Sequence, residues 1–191
     1  MTTRSIVVGS SDNLIGRGLG QFIDEHEVVV RCNRAPIKGY EVDVGSKETR
    51  RFMAPTVATL SNKIEPEMIP LKDVTGRIYT RARVSRVFME KNYAPNCSMR
   101  FYGENDWRKA LRSLEVEPPK TLVHPSTGLE AVIASLFFVK PNVVGFDVED
   151  RPLPHHYWRK ATRKTSYHRW PEEKQLLRTL HDLGYINWMD L

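Results

Sequence analysis

The sequence is poor in cysteine and has no long hydrophobic run. Only Cys32 and Cys97 occur in 191 residues. Two such distant cysteines make no disulfide framework, and without His or Cys partners at ligand spacing they make a poor zinc site. The longest apolar stretch, 131–139, falls far short of the ~20 residues that cross a bilayer. The first nine residues lack the apolar core of a signal peptide and pass straight into a strand pattern. These absences set an expectation of a reduced, cytoplasmic or membrane-peripheral setting with no transmembrane anchor. No internal repeat or low-complexity segment is present.

The composition is that of an ordinary globular domain, with 40% hydrophobic and 27% charged residues and a mean hydropathy of −0.45. One domain over 1–191 is expected from the length. The net charge is +6, and the excess is uneven. From Arg151 to Arg169 there are six basic residues, three histidines and no acid. Such a stretch attracts anions: a nucleotide, a nucleic acid or an acidic membrane surface. No recognised nucleic-acid motif accompanies it, so no specific nucleic acid is expected.

Hydrophobic patterning predicts an α/β fold. Ser5 to Gly9 and Val28 to Arg31 read as short β-branched strands, separated by turn residues and a glycine-broken segment over Leu14 to Ile23. Further strands are expected at Thr56 to Leu60, Arg77 to Tyr79, Leu122-Val123 and Asn142 to Phe146. Helices are expected over Val84 to Lys91, Asp106 to Leu114, Ser126 to Val139 and Pro171 to Leu183. The helix over 126–139 is apolar all round and should be buried, with Ser126 or Thr127 as N-cap and Glu130 placed for a capping box. In the last helix Leu176, Leu177, Leu180 and Leu183 share one face, Pro171 fits the first position and Gly184 the stop. Strand, glycine turn, helix, strand is the opening of a doubly wound parallel sheet.

Four constellations have chemistry in them. Gly9, Ser10 and Asn13 follow the first strand, where exposed N–H groups suit a phosphate or nucleotide, although Gly16, Gly18 and Gly20 give no dinucleotide fingerprint in register with it. Ser126, Thr127 and Gly128 open the buried helix and offer N–H groups and hydroxyls to an anion, or simply cap it. His155-His156-Tyr157-Trp158 can meet a phosphate or pack; adjacent histidines seldom ligate one metal. His168 has the pKa range for acid–base work, with Glu173 five residues on. His26, His124 and His181 have no companions and read as structural or surface residues.

In order, these stretches resemble the eukaryotic-type sialyltransferase family, which is defined by four sialylmotifs. The long motif is similar to Ser5–Thr49, SIVVGSSDNLIGRGLGQFIDEHEVVVRCNRAPIKGYEVDVGSKET. The short motif is similar to His124–Gly145, motif III to His155–Trp158, and the very short motif to His168–Glu173; residues 52–119 form a variable middle, expected on the acceptor side. The resemblance implies a single GT-A-like (Rossmann-like) α/β domain, with a mainly parallel sheet flanked by helices. It implies inverting, metal-independent transfer of sialic acid from CMP-sialic acid to a glycan or glycolipid acceptor, with no cofactor. Another CMP-activated acid such as CMP-Kdo, or CMP binding without transfer, are the alternatives. His168 falls on the family's catalytic base and His156 on the histidine near the donor phosphate. Gly9, Ser10, Asn13, Asn33, Ser126, Thr127, Gly128 and Tyr157 fall on the CMP side, and Glu173 on an orienting position.

The sequence departs from the family in places. Ser10 stands where the family usually has Asn, and Arg159 where an acid commonly follows motif III. The cysteines that animal members join align with Ser5 and Val139 (or Phe138), so that disulfide is absent. No metal site is implied: there is no Asp-x-Asp, and Asp147-Val148-Glu149 reads as a solvated turn.

Overall fold

The computed structural model describes residues 4–54, 69, 74, 77–80, 91–93, 98–101, 103, 105–137, 139–147, 156–158 and 169–189. The strand expected over 56–60, most of the helix over 84–91, Cys97, His155, His168 and most of the basic stretch lie outside them.

The strands are β1 (Ser5–Val8), β2 (Val28–Cys32), β3 (Arg50–Phe52), β4 (Arg77–Thr80), β5 (Ser98–Phe101), β6 (Asn142–Val144) and β7 (Asn187–Trp188). They form one sheet in the order β5-β4-β3-β2-β1-β6-β7, with every neighbouring pair parallel. Val7 lies opposite Val30 on one side and Val143 on the other. The helices are α1 (Gly20–Asp24), α2 (Glu41–Val44), α3 (Asp106–Ser113), α4 (Thr127–Ser135) and α5 (Trp170–Asp182), with a 3-10 turn at Asp12–Leu14.

Parallel strands covered on both faces read as continuous apolar runs, and this sheet follows that rule. Successive side chains alternate between two cores. Val7, Val30 and Val143 join Trp107, Leu111, Leu129, Val132, Leu176 and Leu180 beneath α3, α4 and α5. Ile6, Val8, Val29 and Val144 join Leu14, Ile23, Val44, Tyr157 and Trp158 on the other face. Burying each such aliphatic side chain is worth about 1.5–3 kcal/mol.

Four local expectations need correction. Leu122-Val123 is not a strand: Pro119 accepts the Leu122 N–H in a turn at 3.1 Å, Leu122 is buried and Val123 is exposed. The consecutive prolines before it remove ladder donors and favour that turn. Helix α4 ends at Ser135, four residues early. Its N-cap is Ser126, whose Oγ accepts from Leu129 N at 3.2 Å, so Glu130 lies one position beyond the capping-box site. Leu183 is 57% exposed, because it follows the last helical residue and Gly184, at φ 78°, turns the chain away. Strands β3, β5 and β7 and the helix α2 carry no periodic signal long enough to read.

Candidate active site at the carboxyl edge of the sheet

Strand β1 is followed in space by β2 on one side and by β6 on the other, so the strand order reverses there. In open α/β sheets ligands bind outside the carboxyl ends of strands at such a switch point. The loops leaving β1 and β6 are stitched together at this place. Gly9 N donates to Val144 O at 2.8 Å, and Ser11 N to Gly145 O at 3.0 Å. A Cβ on Gly9 would stand 2.1 Å from Gly145 O, so only glycine permits this approach. Phe146 closes the group: ideal Cβ atoms on Gly9 and Gly128 would meet its ring at 3.0 and 2.8 Å. The long-motif turn and the short-motif helix start thus share one aromatic ring.

Motif III docks on the same turn. Tyr157 N donates to Ser10 O at 3.0 Å, and Ser11 and His156 form an antiparallel bridge. The Ser10 hydroxyl is hydrogen bonded to His156 Nδ1 at 3.2 Å. The His156 ring stacks on Trp158 at 4.5 Å and 4°. Tyr157 turns into the second core, edge-on to Tyr40 and Trp158, and its hydroxyl donates to Pro36 O. Burial holds that phenol well above its usual range. Asn13 sits at the 3-10 turn with a shielded Oδ1 that finds no hydrogen-bond partner among the described residues.

Asn33 follows β2 directly with φ 51°, a left-handed conformation that Asn tolerates better than most residues. Its N donates to Phe52 O at 2.6 Å and its Oδ1 accepts from Ala54 N at 2.9 Å, which ties the ends of β2 and β3 together. Its carbonyl accepts from Arg51 Nη1 at 2.7 Å.

The short and very short motifs meet through one carboxylate. Glu173, in the first turn of α5, accepts from Ser126 N at 2.8 Å and from Ser126 Oγ at 2.5 Å. Burial pushes its carboxyl up to about 7; the two Ser126 bonds oppose this, and Glu130 and Glu172 add to it. The Ser126 hydroxyl is therefore committed within the protein, while Thr127 and Gly128 follow it at N1 and N2. So Gly9, Ser11 and Gly128 meet Gly145 and Phe146, His156 joins them through Ser10 and Ser11, and Asn13 lies in the turn that follows. Asn33 flanks them, Tyr157 packs behind, and Ser126 and Glu173 brace the start of α4. Among the described residues no group of three His, Cys, Asp or Glu converges as a metal site, and no helix is long and apolar enough to cross a membrane.

Several residues that matter here carry no obvious signal in sequence. Arg31, Arg34 and Arg51 are each at most 2% exposed. Arg31 donates to Val44 O, Gly45 O and Lys47 O, and burial together with the Arg51 charge lowers its pKa to about 10. Arg51 forms a two-pronged pair with Glu48. Asp24 accepts from Ser46 N, Ser46 Oγ and Lys47 N, and these bonds hold its carboxyl below the usual range despite partial burial. The one readable hint was a charge inside an apolar strand, the Arg31 of Val-Val-Val-Arg-Cys.

The family model described as glycosyltransferase family 29 (sialyltransferase) matches residues 2–185. A Gallus gallus CMP-N-acetylneuraminate-beta-galactosamide-alpha-2,3-sialyltransferase 1 is 34% identical over 97% of this chain and 57% of its own length. A Mus musculus sialyltransferase 2 of the same naming is 33% identical over 86% of this chain and 50% of its own. The chain thus spans about half the length of these relatives. The crystal structure of a mammalian sialyltransferase superposes with a TM-score of 0.71 at 25% identity, covering 98% of this chain and 69% of that one. A second, in complex with Gal-beta-1-3GalNAc-ortho-nitrophenol, gives 0.68 at 24% identity. With the parallel fold, the switch point in its strand order and a family match over nearly the whole chain, this protein belongs to glycosyltransferase family 29, the sialyltransferases.

Proposed function

We propose that this chain transfers sialic acid from CMP-sialic acid to a glycan hydroxyl, with inversion and without a metal ion. The observation that carries the reading is the gathering of the long, short and third motif segments around Gly145 and Phe146. In the reaction the bond from the anomeric carbon to the phosphate oxygen breaks, and its electron pair leaves with CMP. The acceptor oxygen bonds to that carbon from the opposite face and gives its proton to a base.

His168 is the base in this reading, on the strength of its motif position. His156 assists the departing phosphate, whose growing negative charge also suits the N–H groups at Thr127 and Gly128. Gly9, Asn13 and Asn33 border the nucleotide. The relatives' names make β-galactosides the first acceptors to try. A reduced, cytoplasmic or membrane-peripheral setting goes with the reading. Cys32 suits it as a buried thiol pushed up to about 12, and the basic stretch over 151–169 offers a membrane contact.

The test is CMP release from CMP-sialic acid with EDTA present and a panel of galactosides, comparing the wild type with His168→Ala. Acceptor-dependent release that survives EDTA and collapses in the variant is the expected result. CMP binding without turnover of any CMP-sugar would replace this reading with that of a nucleotide-binding protein. Turnover of CMP-Kdo alone would replace the donor.

A further inference from the structure

His156 is held from two sides, by Ser10 far away in sequence and by Trp158 two residues on. Its Nδ1 is 3.2 Å from Ser10 Oγ, across 146 positions of sequence. Its ring lies flat on Trp158, with centroids 4.5 Å apart and planes 4° from parallel. Trp158 is itself fixed: it is 7% exposed and meets Tyr157 edge-on at 4.8 Å, while the Tyr157 hydroxyl is anchored on Pro36 O. Ser10 is fixed as well, because its carbonyl takes the Tyr157 N–H at 3.0 Å and Gly9 beside it is locked against Gly145. A side chain gripped this way has its rotamer set before any ligand arrives.

From this we infer that Ser10 and Trp158 are positioning residues for His156, and that Ser10 acts on the imidazole and not on the donor. The inference rests on the transferase reading above for its kinetic consequence. A serine hydroxyl is both donor and acceptor, so it can bond Nδ1 whether that nitrogen carries a proton or not. The pair therefore survives a change in the ring's protonation state. The indole face under the ring fixes its plane, and so the direction in which the imidazole can meet a departing phosphate. This is the physical sense of a serine at position 10: its reach extends to the ring across the antiparallel bridge.

Ser10→Ala, Ser10→Thr and Trp158→Leu separate the possibilities, read by steady-state kinetics and by nitrogen-15 imidazole spectra of the full chain, with the His156 signal identified by its loss in His156→Gln. In Ser10→Ala the Nδ1 signal should move, kcat should fall roughly 10- to 100-fold through misplacement of the ring, and the donor KM should stay within about twofold. Ser10→Thr should restore both, and Trp158→Leu should broaden or shift both ring nitrogens. An unmoved Nδ1 signal in Ser10→Ala overturns the proposal. So does a raised donor KM with unchanged kcat, which would make Ser10 a donor contact. If the wild type turns over no CMP-sugar, the transferase reading fails and the spectra alone still decide the positioning.

Discussion

Glu173 takes two hydrogen bonds from Ser126, one from its backbone N–H and one from its hydroxyl, and both residues are buried. The Ser126 oxygen then caps α4 by accepting from Leu129 N. One carboxylate on the last helix thereby fixes the start of the helix that abuts Phe146.

Removing that carboxylate leaves two buried donors without an acceptor. Glu173→Ala is expected to lose about 2–4 kcal/mol of unfolding free energy, read by urea denaturation. An equal stability of variant and wild type would show that water satisfies Ser126.

The same carboxyl gives stability a pH slope. Its folded pKa, about 7, lies above the ordinary 4.5, so the folded state holds more protons than the unfolded state between these values. Its contribution is full below about 4.5 and is lost as pH rises through about 7. Thermal midpoints of the wild type should therefore fall relative to Glu173→Gln across that window. Parallel midpoint curves would refute the raised value.

Asp24 works in the opposite direction. Its folded pKa is depressed, so its contribution is present above the ordinary 3.8 and is lost as pH falls through the lower folded value. Asp24→Asn should flatten the acid limb of stability below about pH 4 and loosen the turn at 45–47. An acid limb as steep as in the wild type would assign it to other carboxylates.

Glycine substitutions should separate tight packing from backbone strain. Gly16→Ala, at φ 79° with open space around it, should cost about 1–2 kcal/mol. Gly9→Ala places a methyl 2.1 Å from a backbone oxygen and should cost more and abolish CMP binding, measured by calorimetry. Equal effects would mean that β1 and β6 separate easily.

Much of the sheet was legible in sequence because buried parallel strands are written in β-branched residues. Ile6-Val7-Val8, Val28-Val29-Val30 and Val143-Val144 could be read directly, and so could the buried α4 and the leucine face of α5. Strand β3 could not: Arg50-Arg51-Phe52 shows two charges, and only the fold reveals that the Arg51 guanidinium is buried on Glu48 and Asn33. Strand β7 is two residues long and exists because β6 offers it an edge, with Asn187 N donating to Pro141 O and Met189 N to Val143 O. At the site, motif position named Ser10, His156, Ser126 and Glu173 one by one. That Ser10 holds His156 and Glu173 holds Ser126 is a matter of pairing across 146 and 47 positions, which local pattern does not encode.

The sheet order has a consequence for the chain as it is made. Strand β1 is central, yet its partner β6 lies more than 130 residues downstream. At ~5–20 residues per second, translation leaves that edge of Ile6, Val7 and Val8 without its neighbour for roughly 7–27 s. A β-branched strand edge left open that long is a template for pairing with another chain. The switch point, which needs both strands, is among the last parts of the molecule to form. Yield from the ribosome should therefore depend more on what shields this early strand than on the final stability of the fold.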